Sequence, residues 1–281
     1  MLDVKPTVFA SLPRFFEKIH ARVVSKNGNQ DVSSQGLKDA FGGKVRLLTS
    51  GGAPLPLEIA DFYARHDLPI LQAYGLTENI CVAFNTVEEH KFGTVGKSMP
   101  MTQVKIAVDS EILVKSEMMF SGYYKEPEKT AEMFDADGWL KTGDLGELDA
   151  GGFLKITGRK KEIIVLSNGK NVAPALLENY VKESHLISHC YLYGDSRSYC
   201  VALITVNGTE TANMGREQIE GLVKDAVDRA NSRVSSSEQA KKYIILEHDF
   251  SAASDEITPT MKIKRSVVAA NYKDILEKLY E

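Results

Sequence analysis

Little in this 281-residue sequence cross-links, spans a membrane or binds polyanions. Its three cysteines, Cys81, Cys190 and Cys200, are odd in number, widely spaced and set in apolar surroundings. They suit the reduced thiols of a cytoplasmic protein better than a disulfide framework. There is no C-x-x-C pair and no G-x-S-x-G elbow, which removes the common thiol-redox and serine-hydrolase readings. His185 and His189 stand four apart beside Cys190. With Leu186 and Ile187 between them, they read as ordinary structure rather than as a metal pair. Neither sign of charge dominates: 34 basic and 38 acidic residues mix along the chain, for a net charge of -4. With no basic stripe and no basic-aromatic motif, nucleic acid is not an expected partner. Long hydrophobic runs are missing too. The opening MLDVKPTVFASLPRFF is broken by Asp3, Lys5, Pro6 and Pro13, so neither a signal peptide nor a spanning helix is expected there. Any membrane contact should be peripheral, at an inner face. No internal repeat or low-complexity tract occurs.

What is present is an ordinary globular composition, 43% hydrophobic and 26% charged, enough for one large core or two modest ones. TVFASLP reads as a strand, followed by a helix in which Phe15, Phe16, Ile19 and Val23 recur at helical spacing. Residues 25 to 43 read as a polar surface excursion. VRLLTS is a buried strand that runs into the loop GGAPLP, a helix is expected from Leu57 to Arg65, and LPILQAY is a further strand ending in GLTEN. Successive strands that each end in a polar loop belong to an α/β sheet whose ligands collect at the strand ends. From Gly93 to Thr157 the pattern becomes short strands, VKIAV, EILVK and FLKIT, between turns, as in a small antiparallel or barrel-like subdomain. Beyond GRKKE comes a compact α+β pattern. It comprises IIVL, a helix from Pro174 to Ser184, strands at CYLYG and YCVALITV, and an amphipathic helix carrying Ile219, Leu222, Val223, Ala226, Val227, Ala230 and Val234. The expected organisation is 1–157, with the barrel-like portion at 93–157, a hinge at 158–161 and a small domain at 162–281.

Five segments occur in a fixed order: TSGGAPL (49–55), QAYGLTEN (72–79), GWLKTGD (138–144), GRKKEIIVLSNGKNVAP (158–174) and TPTMKIKR (258–265). Each alone has an ordinary explanation. Thr77 and Glu78 after Gly75 could cap a helix. Thr-Gly-Asp could be a surface turn, the charge run a solvated linker, and Lys262 one more exposed lysine. Together and in order, the five segments resemble the adenylate-forming, AMP-binding superfamily, over residues 1 to about 265. Within it, PTVFASLPRFFEKIHARV and GRKKEIIVLSNGKNVAP are similar to the long-chain fatty acyl-CoA synthetases.

The resemblance implies an α/β chain: the C-terminal part of the large adenylate-forming domain, with parallel-sheet and barrel-like portions, then a small mobile α+β domain. It implies activation of a fatty acid with ATP and Mg²⁺ to an acyl-adenylate, followed by transfer to CoA. On this reading Gly52 and Ala53 line the adenine and acyl sites. Tyr74 lies against adenine, beside Gly75. Thr77 bonds a phosphate oxygen and Glu78 holds Mg²⁺. Asp144 takes the ribose hydroxyls, and Arg159 reaches the ribose and phosphate region. Lys161 is the pivot, Gly169 opens the CoA route, and Lys262 meets the charge formed when carboxylate attacks the α-phosphate. These types suit the chemistry: hydroxyl and carboxylate oxygens hold phosphate and hard cations, and a lysine is a mobile point charge.

The family's Ser/Thr/Gly-rich phosphate loop has no counterpart here. FGGKV (41–45) lacks the spacing of a Walker-type loop and its Ser/Thr after lysine. The matched region is therefore expected to be about the second half of a longer protein. A ligase for another carboxylic acid, or a non-catalytic nucleotide-binding relative, stays open.

Overall fold

A computed structural model describes residues 1–28, 31–258 and 262–281. The chain forms two compact units, Met1–Thr157 and Gly158–Glu281.

The first unit opens with β1 (Val8–Ser11), α1 (Pro13–Asn27), α2 (Ser34–Asp39), β2 (Leu47–Ser50), α3 (Leu57–Arg65), β3 (Ile70–Leu76), β4 (Asn79–Phe84) and β5 (Lys97–Ser98). These strands make one sheet in the order β1-β2-β3-β4-β5, parallel from β1 to β3 and antiparallel beyond. Pro13 starts α1 without loss, because the first amide of a helix has no intrahelical acceptor. The apolar stripe of α1 buries Phe16, Ile19 and Val23 against Phe41, Tyr63 and Leu48. Phe16 and Tyr63 meet edge to face at 5.9 Å, and the Tyr63 hydroxyl donates to the Phe16 carbonyl at 3.1 Å, joining α1 to α3. Burial pushes the Tyr63 phenol well above its ordinary value. Phe16 is a core residue of this cluster, and the partly buried Phe15 packs against it.

Residues 25 to 43 are not only a surface excursion. Ser33 caps α2 by accepting from the Gly36 amide at 3.0 Å, and Leu37 and Phe41, four apart, are fully buried. Two apolar residues at helical spacing outweigh the polar residues around them.

The remainder of the unit is β6 (Thr102–Ile106), β7 (Glu111–Ser116), α4 (Pro127–Glu132), β8 (Leu140–Leu148) and β9 (Leu154–Arg159), whose last two residues belong to the second unit. Its sheet order is β6-β7-β8-β9, with antiparallel β6–β7 and β7–β8 pairs. Leu154 extends it by bonding Val95 and Gly96 through the main chain, each at 2.8 Å. Val82, Ile112, Val114, Leu140 and Leu154 form the core there.

The second unit contains β10 (Ile164–Val165), β11 (Asn171–Val172), α5 (Pro174–Val181), β12 (Ile187–Tyr193), β13 (Cys200–Val206), α6 (Gly208–Thr211), α7 (Arg216–Asn231), β14 (Ala240–Ile245), α8 (Arg265–Asn271) and α9 (Lys273–Lys278). The sheet β12-β13-β14 is covered on both faces. Cys190, Leu192, Cys200, Ala202 and Ile204 pack with α5 and α7 residues. The alternate residues Tyr191, Val201 and Leu203 pack with Val268 and Leu276 from α8 and α9. A strand buried on both faces reads as an unbroken apolar run, as YCVALITV does. Each fully buried aliphatic side chain there contributes about 1.5–3 kcal/mol.

Candidate active site

The first unit builds its candidate site at the ends of β2 and β3. Ser50 pairs with Gln72 in parallel register, so the loop Gly51–Ala53 leaves β2 beside Ala73 and Tyr74. Gly52 and Ala53 are exposed in that loop. GLTEN is not a loop following a strand, and Thr77 and Glu78 cap no helix. β3 continues through Leu76, turns on Thr77 and Glu78, and returns antiparallel as β4, with Leu76 opposite Asn79. The register slips between Tyr74 and Leu76, which brings Gly75 against its partner strand. A Cβ on Gly75 would lie 1.9 Å from the Ile80 carbonyl oxygen. The hairpin's own backbone demands a glycine here.

Asp144 is placed by a bulge rather than by a surface turn. Glu111 pairs with Leu145 and Leu113 with Lys141, leaving Thr142, Gly143 and Asp144 opposite Ile112 alone. Three bonds hold this loop. The Thr142 hydroxyl donates to the Ile112 carbonyl at 2.7 Å, the Asp144 amide donates to Thr142 Oγ1 at 3.1 Å, and the Gly143 amide donates to Glu111 Oε1 at 3.0 Å. Gly143 adopts φ +69°. Bulges of this sort re-aim a side chain beside a site. Here the Asp144 carboxylate, 5% exposed, accepts from the Tyr74 hydroxyl at 2.6 Å. Two residues 70 apart, from two separate motifs, meet directly.

Glu78 is half-buried at the hairpin tip, and its carboxylate accepts from the Tyr123 hydroxyl. Its carbonyl accepts from the Phe120 amide at 2.7 Å. The hydrogen bond to Glu78, then burial, raises the Tyr123 phenol. Tyr123 and Glu111 were not singled out from the sequence. Nothing local marks either one, since their partners lie 45 and 32 residues away. Beside Glu78, both ends of the buried Asn79 amide lack a hydrogen-bond partner, as does the buried Ser50 hydroxyl at the end of β2. Unmatched polar atoms cost roughly 1–3 kcal/mol each when buried. No group of three or more His, Cys, Asp or Glu side chains suited to a metal occurs among the described residues. A single carboxylate at Glu78 fits Mg²⁺, which is commonly held by one or two carboxylates with substrate phosphates.

Arg159, Lys161, Gly169 and Lys262 belong to the second unit and are not among the groups these contacts join. Arg159, at the end of β9, and Lys161, in a short 3-10 turn, are exposed. Gly169 turns β10 toward β11 with φ +78°, and a Cβ there would meet nothing within 4 Å. Its backbone conformation alone accounts for a glycine. Lys262 is exposed on a short antiparallel hairpin. Ile257 bridges Ile263, Thr258 and Lys262 bond each other through the Thr258 amide at 2.8 Å and Thr258 Oγ1 at 3.0 Å, and the Lys264 amide donates to the Glu256 carbonyl at 2.8 Å. Residues 259–261 of TPTMKIKR lie outside the described residues.

His185 lies in a turn and His189 in β12, so the two do not share a helix face. His189 Nδ1 and the Thr205 hydroxyl both bond Asp249 Oδ1, at 2.8 and 2.6 Å. Burial alone would raise the Asp249 carboxyl. The bonds from His189 and Thr205 outweigh it and bring the group down to about 2.

The strand ends of one sheet carry a glycine-rich loop and a hairpin-tip carboxylate, and a bulge in β8 of the other sheet brings a carboxylate to Tyr74, all within one α/β unit. Two family models match the chain, AMP-binding enzyme over residues 1–124 and AMP-binding enzyme C-terminal domain over residues 161–281. The chain belongs to the AMP-binding, adenylate-forming enzyme family. It is 36% identical to the long-chain-fatty-acid--CoA ligase FadD15 of Mycobacterium bovis, over 98% of this chain and 55% of that protein. It is 29% identical to the long-chain-fatty-acid--CoA ligase ACSBG2 of Gallus gallus, over 99% of this chain and 46% of that protein. Among solved structures, the A-PCP didomain of a carboxylic acid reductase from Segniliparus rugosus, in complex with AMP, superposes with a TM-score of 0.78. Identity there is 27%, over 98% of this chain and 42% of that one. The chain spans about half the length of the curated relatives it matches.

Proposed function

We propose that this chain supplies the nucleotide-binding and adenylating residues of a long-chain fatty acid–CoA ligase, which activates a fatty acid with ATP and transfers the acyl group to CoA. The observation that carries this reading is the 2.6 Å bond from Tyr74 to Asp144. It fixes the Asp144 carboxylate where two acceptor oxygens can hold the paired hydroxyls of a ribose. Tyr74 then offers its ring to adenine, with Gly52 and Ala53 in the neighbouring loop. Arg159 serves the ribose and phosphates. Thr77, exposed at the hairpin tip, donates to a phosphate oxygen, and Glu78 beside it would hold Mg²⁺, oriented by Tyr123. When bound, the ion would neutralise developing phosphate charge. Lys262 draws carboxylate and α-phosphate together against their mutual repulsion, a contact made strongest in the transition state. For the second half-reaction the small domain turns about Lys161, withdrawing Lys262 and presenting the Gly169 loop to CoA. The protein works in the cytoplasm or peripherally at the inner face of a membrane. No helix among the described residues is long and apolar enough to cross one.

The long-chain assignment is supported by identity to the fatty-acid ligases. Similarity to a carboxylic acid reductase's adenylation region keeps a second reading, another carboxylic acid as substrate. Both are tested by acid-dependent exchange of pyrophosphate into ATP, measured over aryl, medium-chain and long-chain acids. The chain and a form extended upstream through a phosphate loop are compared. Exchange should be greatest with long-chain acids. Lys262→Ala should lose about 3 kcal/mol of transition-state stabilisation, more than a hundredfold in rate. Exchange that survives this substitution contradicts the role of Lys262, and a preference for aryl acids contradicts the substrate.

A further inference from the structure

The hairpin that carries Lys262 is fastened at both stems by charged groups, Glu256 buried and Arg265 partly buried. On the incoming arm Glu256 is 4% exposed. Its carboxylate accepts from the Ser251 amide at 3.1 Å and from Asn271 Nδ2 at 3.4 Å, while its carbonyl takes the Lys264 amide. On the outgoing arm Arg265 opens α8. A helix start favours negative charge, so a cation at its first position is locally unfavourable and calls for a tertiary reason. That reason lies in its contacts. Arg265 Nη1 donates to Glu178 Oε1 on α5 at 2.7 Å, Nη2 donates to the Leu192 carbonyl on β12 at 2.5 Å, and the guanidinium lies 4.7 Å from the centre of the Tyr191 ring. The Tyr191 hydroxyl returns a bond to the Arg265 carbonyl at 3.3 Å. Glu178, 8% exposed, also accepts from the Leu192 amide at 2.8 Å, so its own orientation is fixed by the sheet.

We propose that Arg265, clamped by Glu178, is a positioning residue for Lys262: it fixes the outgoing stem of the hairpin to the α5–β12 framework and so sets where the exposed ammonium stands. The functional half of this inference rests on Lys262 acting in adenylation. Reacting groups must be held to within a fraction of an ångström, and only two residues, Ile263 and Lys264, separate Lys262 from its anchor. Lysine at 265 keeps the charge but cannot make the two-pronged contact to a carboxylate and a carbonyl.

The test compares the full chain with Arg265→Lys and Glu178→Gln, following amide hydrogen exchange at Thr258, Lys262 and Lys264 with Val201–Ile204 of β13 as the reference. Exchange at the three hairpin amides should quicken at least tenfold while the β13 amides stay unchanged. This readout needs no turnover. In pyrophosphate exchange the same variants should lower kcat at least tenfold with KM for ATP within twofold. Thioester formation from a preformed acyl-adenylate, where Lys262 is not used, should stay within twofold of the parent. Hairpin amides that do not respond, or a response spread equally into β13, overturn the clamp. Equal loss in both half-reactions overturns the positioning role and leaves Arg265 a general support of the fold. Lys262→Ala separates the two layers. If it leaves adenylation intact the functional reading fails, whereas a local exchange effect in the Arg265→Lys protein still establishes the clamp.

Discussion

At the residue scale, the proposed chemistry rests on a few polar groups whose neighbours fix their orientation. Asp144 is nearly buried yet bound by a phenol and by the turns of its own strand, so it is presented as a rigid acceptor rather than a mobile surface acid. Asp249 shows the same physics away from the site. Its carboxyl is held at about 2 in the folded protein, against about 3.9 for an unperturbed aspartate. A lowered folded value means that the stabilisation is complete above the unfolded value and is lost as pH falls through the folded one. The urea midpoints of the parent and of Asp249→Asn should therefore differ by a constant amount above about pH 4 and converge between about pH 4 and pH 2. A difference that persists unchanged to pH 2 would refute this assignment. Because the Asp249 side chain is 42% exposed, solvent screening keeps the effect small. Burial raises all three thiols, Cys190 strongly and Cys200 up to about 12, which keeps them protonated.

At the scale of elements, two irregularities do the positioning: the slipped β3–β4 hairpin and the three-residue bulge in β8. The hairpin can be tested through Gly75, where a Cβ would fall on the Ile80 carbonyl. Gly75→Ala should destabilise the first unit by roughly 1–3 kcal/mol, as forced overpacking generally does, seen as a lower urea midpoint with the slope unchanged. A midpoint equal to the parent's would show that the hairpin yields without cost. These devices also explain what could be read from the sequence. YGLTE and TGD were visible because their chemical groups are contiguous in the chain. That Tyr74 and Asp144 meet was not, because the meeting depends on a register slip and on a bulge whose Thr142 hydroxyl and Gly143 amide donate to Ile112 and Glu111, some 30 residues upstream. The strand expected at LPILQAY was right in type but extends to Leu76, since the turn falls on Thr77 and Glu78 instead of Gly75. The helix α2 was hidden by its polar residues, although Leu37 and Phe41 carried the periodic signal. β14, with two exposed lysines in AKKYII, and the helices α8 and α9 offered weaker patterns than the amphipathic α7.

At the scale of the whole molecule, the chain comprises two units with separate cores, one carrying the Tyr74–Asp144 pair and the other the Lys262 hairpin. Membership of the adenylate-forming family accounts for both, and the chain's span of about half its relatives' length defines what must be measured. The proposal at stake is that the first unit presents Asp144 to the ribose and Tyr74 to the adenine of its ligand. It is tested most directly by titrating the chain calorimetrically with a non-reactive long-chain acyl-sulfamoyl adenosine, alongside Asp144→Asn and Asp249→Asn. A hydrogen bond to a charged group contributes about 1.5–3 kcal/mol. Asp144→Asn should therefore weaken binding roughly ten- to a hundredfold, while Asp249→Asn binds as the parent does. Equal affinity in the Asp144→Asn protein, or no binding by the parent chain, would contradict the account.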